Sequence, residues 1–282
     1  MRFKIKGSFE LICNMENKVV LISGAGRGLG RAIAMAYHSM GFNIIATDVD
    51  LSLFLDIKNK ERFTCIKLDV TSESDVRICA EIVAEKFGKL DVLISNAGII
   101  DFYPVSEAGS ERLKKIFDVN VFGLTNLTKY CLPLLINGHG RLIVISSESY
   151  KVPSPFQPYA VSKQMLESLY KSIKIELSLI GVKSILIRPG AMQTQILDDT
   201  IHFNIHLNNS QFEQEFSGFI ETAPKYIGNI VNPEKVAKIV LKAATSKRPK
   251  SIYHINHNPI VSLFAILPTG IKNIIIKKGL TK

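Results

Sequence analysis

Lys18-Val19-Val20-Leu21-Ile22-Ser23-Gly24-Ala25-Gly26-Arg27-Gly28-Leu29-Gly30 is the stretch on which the fold turns. An apolar run, a glycine turn and then the helix-forming run Arg31 to Met40 predict strand, tight loop and helix in succession. That order makes an anion cradle: glycine lets backbone N–H groups approach a pyrophosphate, and the helix dipole favours negative charge at its start. The spacing is GxxxGxG (Gly24, Gly28, Gly30) and not the GxGxxG of the standard dinucleotide fingerprint, so the order of elements carries the reading.

Working outward, apolar strand candidates fall at 18–23, 43–48, 63–68, 90–95, 141–147, 183–188 and 251–255, with helix candidates at 28–40, 73–87, 110–136, 159–180 and 233–246. Alternating strands and helices predict α/β architecture: a doubly wound, Rossmann-type parallel sheet with helices on both faces and its ligand crevice at the carboxyl ends of the strands. The 282 residues, 46% hydrophobic, are enough for one such core, and no linker, repeat or low-complexity block divides them. One domain is expected over 18–258, between an N-terminal extension at 1–17 and an apolar, basic tail at 259–282.

A second signal is independent of the first. Tyr159 and Lys163 stand one helical turn apart, so phenol and ammonium share a face and the cation can stabilise a phenolate. The same pattern recurs at Tyr170 and Lys174, where it falls mid-helix. Only Tyr159 follows a Pro-interrupted segment leading out of a strand that ends in a serine pair, Ser146-Ser147, able to share a substrate oxygen. The two serines point to opposite faces by strand alternation, so one of them is expected to act.

Together these features resemble the short-chain dehydrogenase/reductase family, in its compact single-domain branch. The resemblance rests on Ser23 to Gly30, Leu68-Asp69-Val70, Asn96-Ala97-Gly98, Asn120 in Asp118-Val119-Asn120-Val121, Ser147, Tyr159 to Lys163, and Arg188-Pro189-Gly190 with Thr194, in family order from about 18 to about 194. It implies a nicotinamide-dependent oxidoreductase interconverting an alcohol and a ketone or aldehyde, with Tyr159 as acid/base, Lys163 lowering its pKa and Ser147 holding the substrate oxygen. Asn120 would complete a proton relay to Lys163. The family places the serine thirteen residues before the tyrosine, which Ser146 satisfies; Ser147, twelve before, is chosen because it ends the strand pair.

The resemblance also implies a cofactor site of Gly24, Arg27, Gly28, Leu29, Gly30, Asp48, Asp69, Val70, Asn96, Ala97, Gly98, Tyr159, Lys163, Pro189, Gly190, Met192 and Thr194. Asp48, at the end of the second strand, would accept hydrogen bonds from ribose hydroxyls and repel a 2′-phosphate, which favours NAD over NADP. Arg27 pulls the other way, because a basic residue in this turn is a feature the family uses for NADP. The competing reading from another class is a non-catalytic dinucleotide sensor or scaffold, whose expected signature is a broken Ser, Tyr or Lys.

Substrate chemistry is read from 195–231, where Ile196, Leu197, Ile201, Phe203, Ile205, Leu207, Phe212, Phe216, Phe219 and Ile220 predict an apolar lid or simple packing on the sheet. A lid of this kind suits a bulky apolar alcohol or carbonyl, such as a steroid, retinoid or lipid-like chain. The tail, Ile260 to Ile276 with Lys272, Lys277 and Lys278, is interrupted by Pro268 and so does not predict a spanning helix. It is expected to cover the core or a subunit contact, or to lie on a membrane surface. Net charge is +10 and the pI near 9.4, but the lysines are scattered and no nucleic-acid motif accompanies them. Four cysteines, Cys13, Cys65, Cys79 and Cys131, form no CxxC pair and suggest reduced cytosol. No metal is expected from His202 with His206 or from His254 with His257. Residues 9–13 are too short an apolar core for a secretory signal. A homodimer or homotetramer, paired through the helices near 110–136 and 159–180, follows from the resemblance.

Overall fold

Strand β1 (Val19–Ser23) is buried at every position, as a parallel strand covered on both faces must be. Its alternation divides two cores. Val20 and Ile22 join one and Val19 and Leu21 the other. The same division runs through β4 (Val92–Ser95) and β5 (Arg141–Ile145), with Ile94, Ile143 and Ile145 on the first side and Leu93, Leu142 and Val144 on the second.

The computed structural model describes residues 17–152, 154–194, 207 and 209–280. With β2 (Asn43–Asp48), β3 (Phe63–Lys67), β6 (Lys183–Pro189) and β7 (Ile252–Ile255), the strands form one seven-stranded parallel sheet in the order β3-β2-β1-β4-β5-β6-β7. Chain order reverses between β1 and β4, the place where an open α/β sheet leaves a crevice.

Helices α1 (Gly28–His38) and α7 (Pro233–Thr245) cover the first face. Helices α2 (Glu73–Phe87), α4 (Gly123–Asn137) and α5 (Pro158–Leu179) cover the second. Their ends have local causes. Ser72 caps α2 by accepting from the Asp75 N–H, and Gly88 closes it at φ +67°. Asn232 caps α7, with Pro233 at its first position. Burial pushes the Cys79 and Cys131 thiols on this second face up to about 12, so neither is reactive.

Three stretches differ from expectation. The helix expected over 110–136 is α3 (Ser110–Phe117), a π-turn at Asp118–Phe122, then α4. The wider turn carries the inward-facing Asn120, whose amide reaches Ile99 and Ser162, and periodicity does not reveal one extra residue in a turn. Ser110–Asn137 as a whole is long and apolar enough to cross a membrane, yet half of its apolar window is buried inside this fold. Beyond the expected elements, α6 (Glu213–Thr222), α8 (Pro259–Ile266) and α9 (Thr269–Leu280) are also helical. Ile196, Leu197, Ile201, Phe203, Ile205, Cys13, His202 and His206 lie outside the described residues.

An ion pair ties α5 to β6 beneath the second face. Arg188 donates to both Glu167 carboxylate oxygens, at 2.9 and 2.6 Å, and the Ser146 hydroxyl donates to the same carboxylate at 2.8 Å. Both side chains are at most one-tenth exposed. Removing one partner of such a pair leaves an uncompensated charge in the interior. Glu167→Gln should therefore lower stability by about 3 kcal/mol in urea denaturation, and Glu167→Met with Arg188→Met should recover most of it. An unchanged midpoint in the single variant would show that water already screens the pair.

Candidate active site

The glycine turn is shaped by sterics at three positions. Gly24 and Gly28 have φ of +64° and +54°, a region L side chains rarely adopt. At Gly30 a Cβ would overlap the Gly24 carbonyl oxygen and stand 2.7 Å from the Asn96 amide nitrogen, so only glycine lets α1 begin this close to β1. Asn96 closes the same corner from β4, its Nδ2 donating to the Ser23 and Gly24 carbonyls at 3.0 Å each. Asp48 closes it from β2, accepting from the Gly26 N–H at 3.0 Å. No side chain caps α1, and Gly28, Leu29 and Gly30 line the open cleft beside it.

That cleft, about 510 Å³, runs along the carboxyl ends of the strands and is of the size that holds organic ligands. Every residue expected in the cofactor site borders it, from Gly24 and Arg27 through Asp48, Asp69, Val70, Asn96, Ala97 and Gly98 to Pro189, Gly190, Met192 and Thr194. Ser147, Tyr159 and Lys163 border it too. Asn120 does not line it. It sits 97% buried behind Gly98, its Oδ1 accepting from the Ile99 N–H and its Nδ2 donating to the Ile99 carbonyl and the Ser162 hydroxyl. The side chain thus braces the 98–99 loop, with its amide hydrogens already engaged.

The serine pair separates as alternation requires. Ser146 is buried on the Glu167 carboxylate, while Ser147 borders the cleft with Tyr159, accepting from the Ser149 hydroxyl at 3.0 Å. The second Tyr–Lys copy is structural: Tyr170 is 2% exposed, and its hydroxyl points at Ser184.

The charges differ from the simplest expectation. Lys163 Nζ lies 5.5 Å from the Tyr159 ring centroid and donates to the Ile145 carbonyl at 3.2 Å. Burial pushes the phenol up to about 12, against which the Ser147 hydroxyl works only weakly. Burial pushes the ammonium down to about 8, against which the Glu167 carboxylate works. Burial therefore keeps Tyr159 protonated at neutral pH in the chain by itself.

The far wall of the cleft was not signalled by any motif. It is built from Ile100, Phe102, Glu148, Ile227, Asn258 and Val261. Both oxygens of the 8%-exposed Glu148 accept from the Asn258 N–H at 2.8 Å. Of the aromatic residues expected over the substrate, Phe212, Phe216 and Phe219 close on Phe102 and Phe156 instead, and only Phe102 of this group reaches the cleft. The signal for Glu167 was present, since it stands one helical turn after Lys163 on the same face.

A glycine cradle at the switch point of a parallel sheet, with a serine, a tyrosine and a lysine beside it, defines a dinucleotide-binding α/β protein of Rossmann type. The family described as short chain dehydrogenase matches residues 18–204, and the chain belongs to the short-chain dehydrogenase/reductase family of oxidoreductases, which use nicotinamide dinucleotides. It is 29% identical over 221 residues to the short-chain dehydrogenase cctT of Talaromyces islandicus, covering 77% of each chain. A short-chain dehydrogenase from Streptomyces avermitilis has the same fold with a TM-score of 0.74, at 25% identity over 93% of this chain and 94% of that one. A family member from Burkholderia phymatum, solved in complex with NAD, matches with a TM-score of 0.74 at 21% identity, over 91% and 94% of the two chains.

The lysine makes a pH prediction with a definite sign. Lysine ordinarily titrates at 10.5, and in the folded chain Lys163 does so near 8, so between those values the unfolded chain holds a proton the folded one has released. Stability owed to this residue rises with pH across that window. Lys163→Met should remove the rise, up to about 3 kcal/mol, when urea midpoints of the two proteins are compared from pH 7 to 11. Parallel profiles would show that the ammonium is not desolvated.

Proposed function

We propose that this protein is an NAD-dependent oxidoreductase acting on CH–OH groups, interconverting an apolar alcohol and its ketone or aldehyde with Tyr159 as acid/base. The observation that carries the reading is the convergence of Ser147, Tyr159 and Lys163 on the cleft beside the glycine turn, with Lys163 Nζ 5.5 Å from the Tyr159 ring centroid. The cofactor fits the residues present: the turn offers a side-chain-free approach to a pyrophosphate, and Asp48, Asp69 and Val70 line the same cleft, where Asp48 would meet the ribose hydroxyls and Asp69 and Val70 the adenine. Asp48 Oδ2 is engaged by Gly26, while Oδ1 receives only a 3.4 Å contact from the Asp50 N–H, leaving it able to accept from a 2′-hydroxyl and to repel a 2′-phosphate.

Bound there, a nicotinamide would supply or take up the hydride. Ser147 holds the substrate oxygen against the phenol. In the reducing direction Tyr159, protonated at neutral pH, would give its phenolic proton to the substrate oxygen, and Lys163 would stabilise the phenolate left behind. In the oxidising direction the phenolate takes the alcohol proton back, which requires added positive charge in the cleft to lower a pKa that burial has raised. The apolar wall of Ile100, Phe102, Ile227 and Val261 supports an apolar substrate. Exposed Met165, Ile175, Leu179 and Ile180 on and just after α5, with Ile136 on α4, support pairing with a second copy of the chain. The free thiols at Cys65, Cys79 and Cys131 suit a reducing compartment such as the cytoplasm.

Tyr159→Phe should lower kcat by at least about a hundredfold with NADH affinity, read by nucleotide fluorescence, nearly unchanged. Full activity in that variant would remove the phenol from the mechanism. Ser147→Ala should cost more activity than Ser146→Ala, and the reverse order would reassign the serine. In a carbonyl panel, apolar ketones should outcompete short sugars, and Asp48→Ser should move kcat/KM toward NADP by about tenfold or more. Preference for NADP in the unaltered chain would sink the Asp48 argument.

A further inference from the structure

We infer that the corner formed by α8 and α9 docks onto an anionic lipid surface. Six of the eighteen exposed large hydrophobic side chains among the described residues fall between 260 and 275: Ile260, Leu263, Ile266, Ile271, Ile274 and Ile275, each 46% to 77% exposed. Neither helix contributes a buried residue. A concentration of this kind in so short a segment marks an interaction surface.

The face is held outward from behind. The Asn258 N–H that opens α8 is bound by Glu148, Lys151 donates to the Ser262 hydroxyl at 2.7 Å, and Lys272 reaches back to the Ala265 carbonyl at 2.6 Å, closing the corner between the helices. At the far end Leu280 packs against the cluster of Phe102, Phe156, Phe216 and Phe219. With the polar and inner contacts fixed in this way, the aliphatic side chains on the opposite side have no protein left to cover them within the described chain.

Charge selects the occupant. Residues 259–280 contain Lys272, Lys277 and Lys278 and no acidic residue. On α9, Ile271, Ile274, Ile275 and Lys278 follow at i, i+3, i+4 and i+7, so an ammonium stands at the end of the aliphatic stripe. The core of a contact between copies is depleted in lysine, whereas lysine beside aliphatic side chains is what an interface of acyl chains under anionic headgroups accepts. Val261, on α8, also lines the cleft. Docking through α8 therefore sets the cleft mouth beside the bilayer, where an apolar substrate would partition; only this last consequence rests on the proposed activity.

The test is flotation of the full chain with vesicles of phosphatidylcholine alone or mixed with phosphatidylserine, at low and high salt. The protein should float with the mixed vesicles, less so at high salt, and Leu263→Glu with Ile274→Glu should reduce the bound fraction about tenfold or more. NADH binding should be unchanged in that variant, which separates loss of docking from loss of fold and from failure of the oxidoreductase reading. If the variant does not fold, the contrast between the two vesicle types with the unaltered chain decides. Failure of the unaltered chain to float with either vesicle would overturn the proposal. So would a variant that floats normally while light scattering shows it dissociated into single copies, which would make this face a contact between chains.

Discussion

The approach of Gly30 to the Gly24 carbonyl sets the geometry of everything at the top of the sheet. A methyl group there would collide with backbone, which cannot yield as a flexible side chain can, so α1 would be pushed off β1. The same closeness lets one amide, Asn96 Nδ2, reach two successive carbonyls of the turn and lock the end of β4 to the end of β1. Since these are the strands between which the sheet reverses, their locked ends fix the walls of the cleft. Asp48 is drawn into the same arrangement through the Gly26 N–H, so the carboxylate that would meet a ribose is positioned by the turn that would meet the phosphates.

Much of this was legible because backbone sterics write themselves into residue type. A strand buried on both faces reads as a continuous apolar run, a turn with positive φ reads as glycine, and β1 and the turn after it were found on those grounds. Alternation put Ser146 and Ser147 on opposite faces without saying which one meets the cleft, while context separated Tyr159 from the buried Tyr170. The π-turn was not legible, because its cause is the long-range fit of Asn120 to a loop about twenty residues earlier. The far wall of the cleft was hidden for a similar reason: Asn258 and Val261 acquire their place only through Glu148, which stands 110 residues before Asn258. The choice between lid and packing stayed open in the sequence because phenylalanine spacing reports that a face is apolar and says nothing of whether it meets a ligand or another phenylalanine.

The electrostatics of the site are a contest between desolvation and charge, and in the chain by itself desolvation prevails. Burial moves phenol and ammonium in opposite directions, each toward its neutral form, up to about 12 and down to about 8. Glu167 limits the second shift. Its carboxylate is held by Arg188 and Ser146, and lies one turn along α5 from Lys163, favouring the charged ammonium without contacting it. A lysine that remains a cation close to neutrality, donating to the Ile145 carbonyl, would give the phenolate left by the proposed proton transfer a nearby positive charge in a site of low dielectric.

Glu148 joins this chemistry to the end of the chain. It follows Ser147 directly, and through Asn258 it draws the segment leaving β7 across the mouth of the cleft. Gly190 makes room for that segment, since a Cβ there would overlap the Asn256 carbonyl. The residue after this cleft-lining serine thus fixes where α8 begins, and α8 presents Val261 inward to the cleft and Ile260 and Leu263 outward. One short helix consequently forms both the wall that an apolar substrate would touch and the exposed ridge beside its entrance.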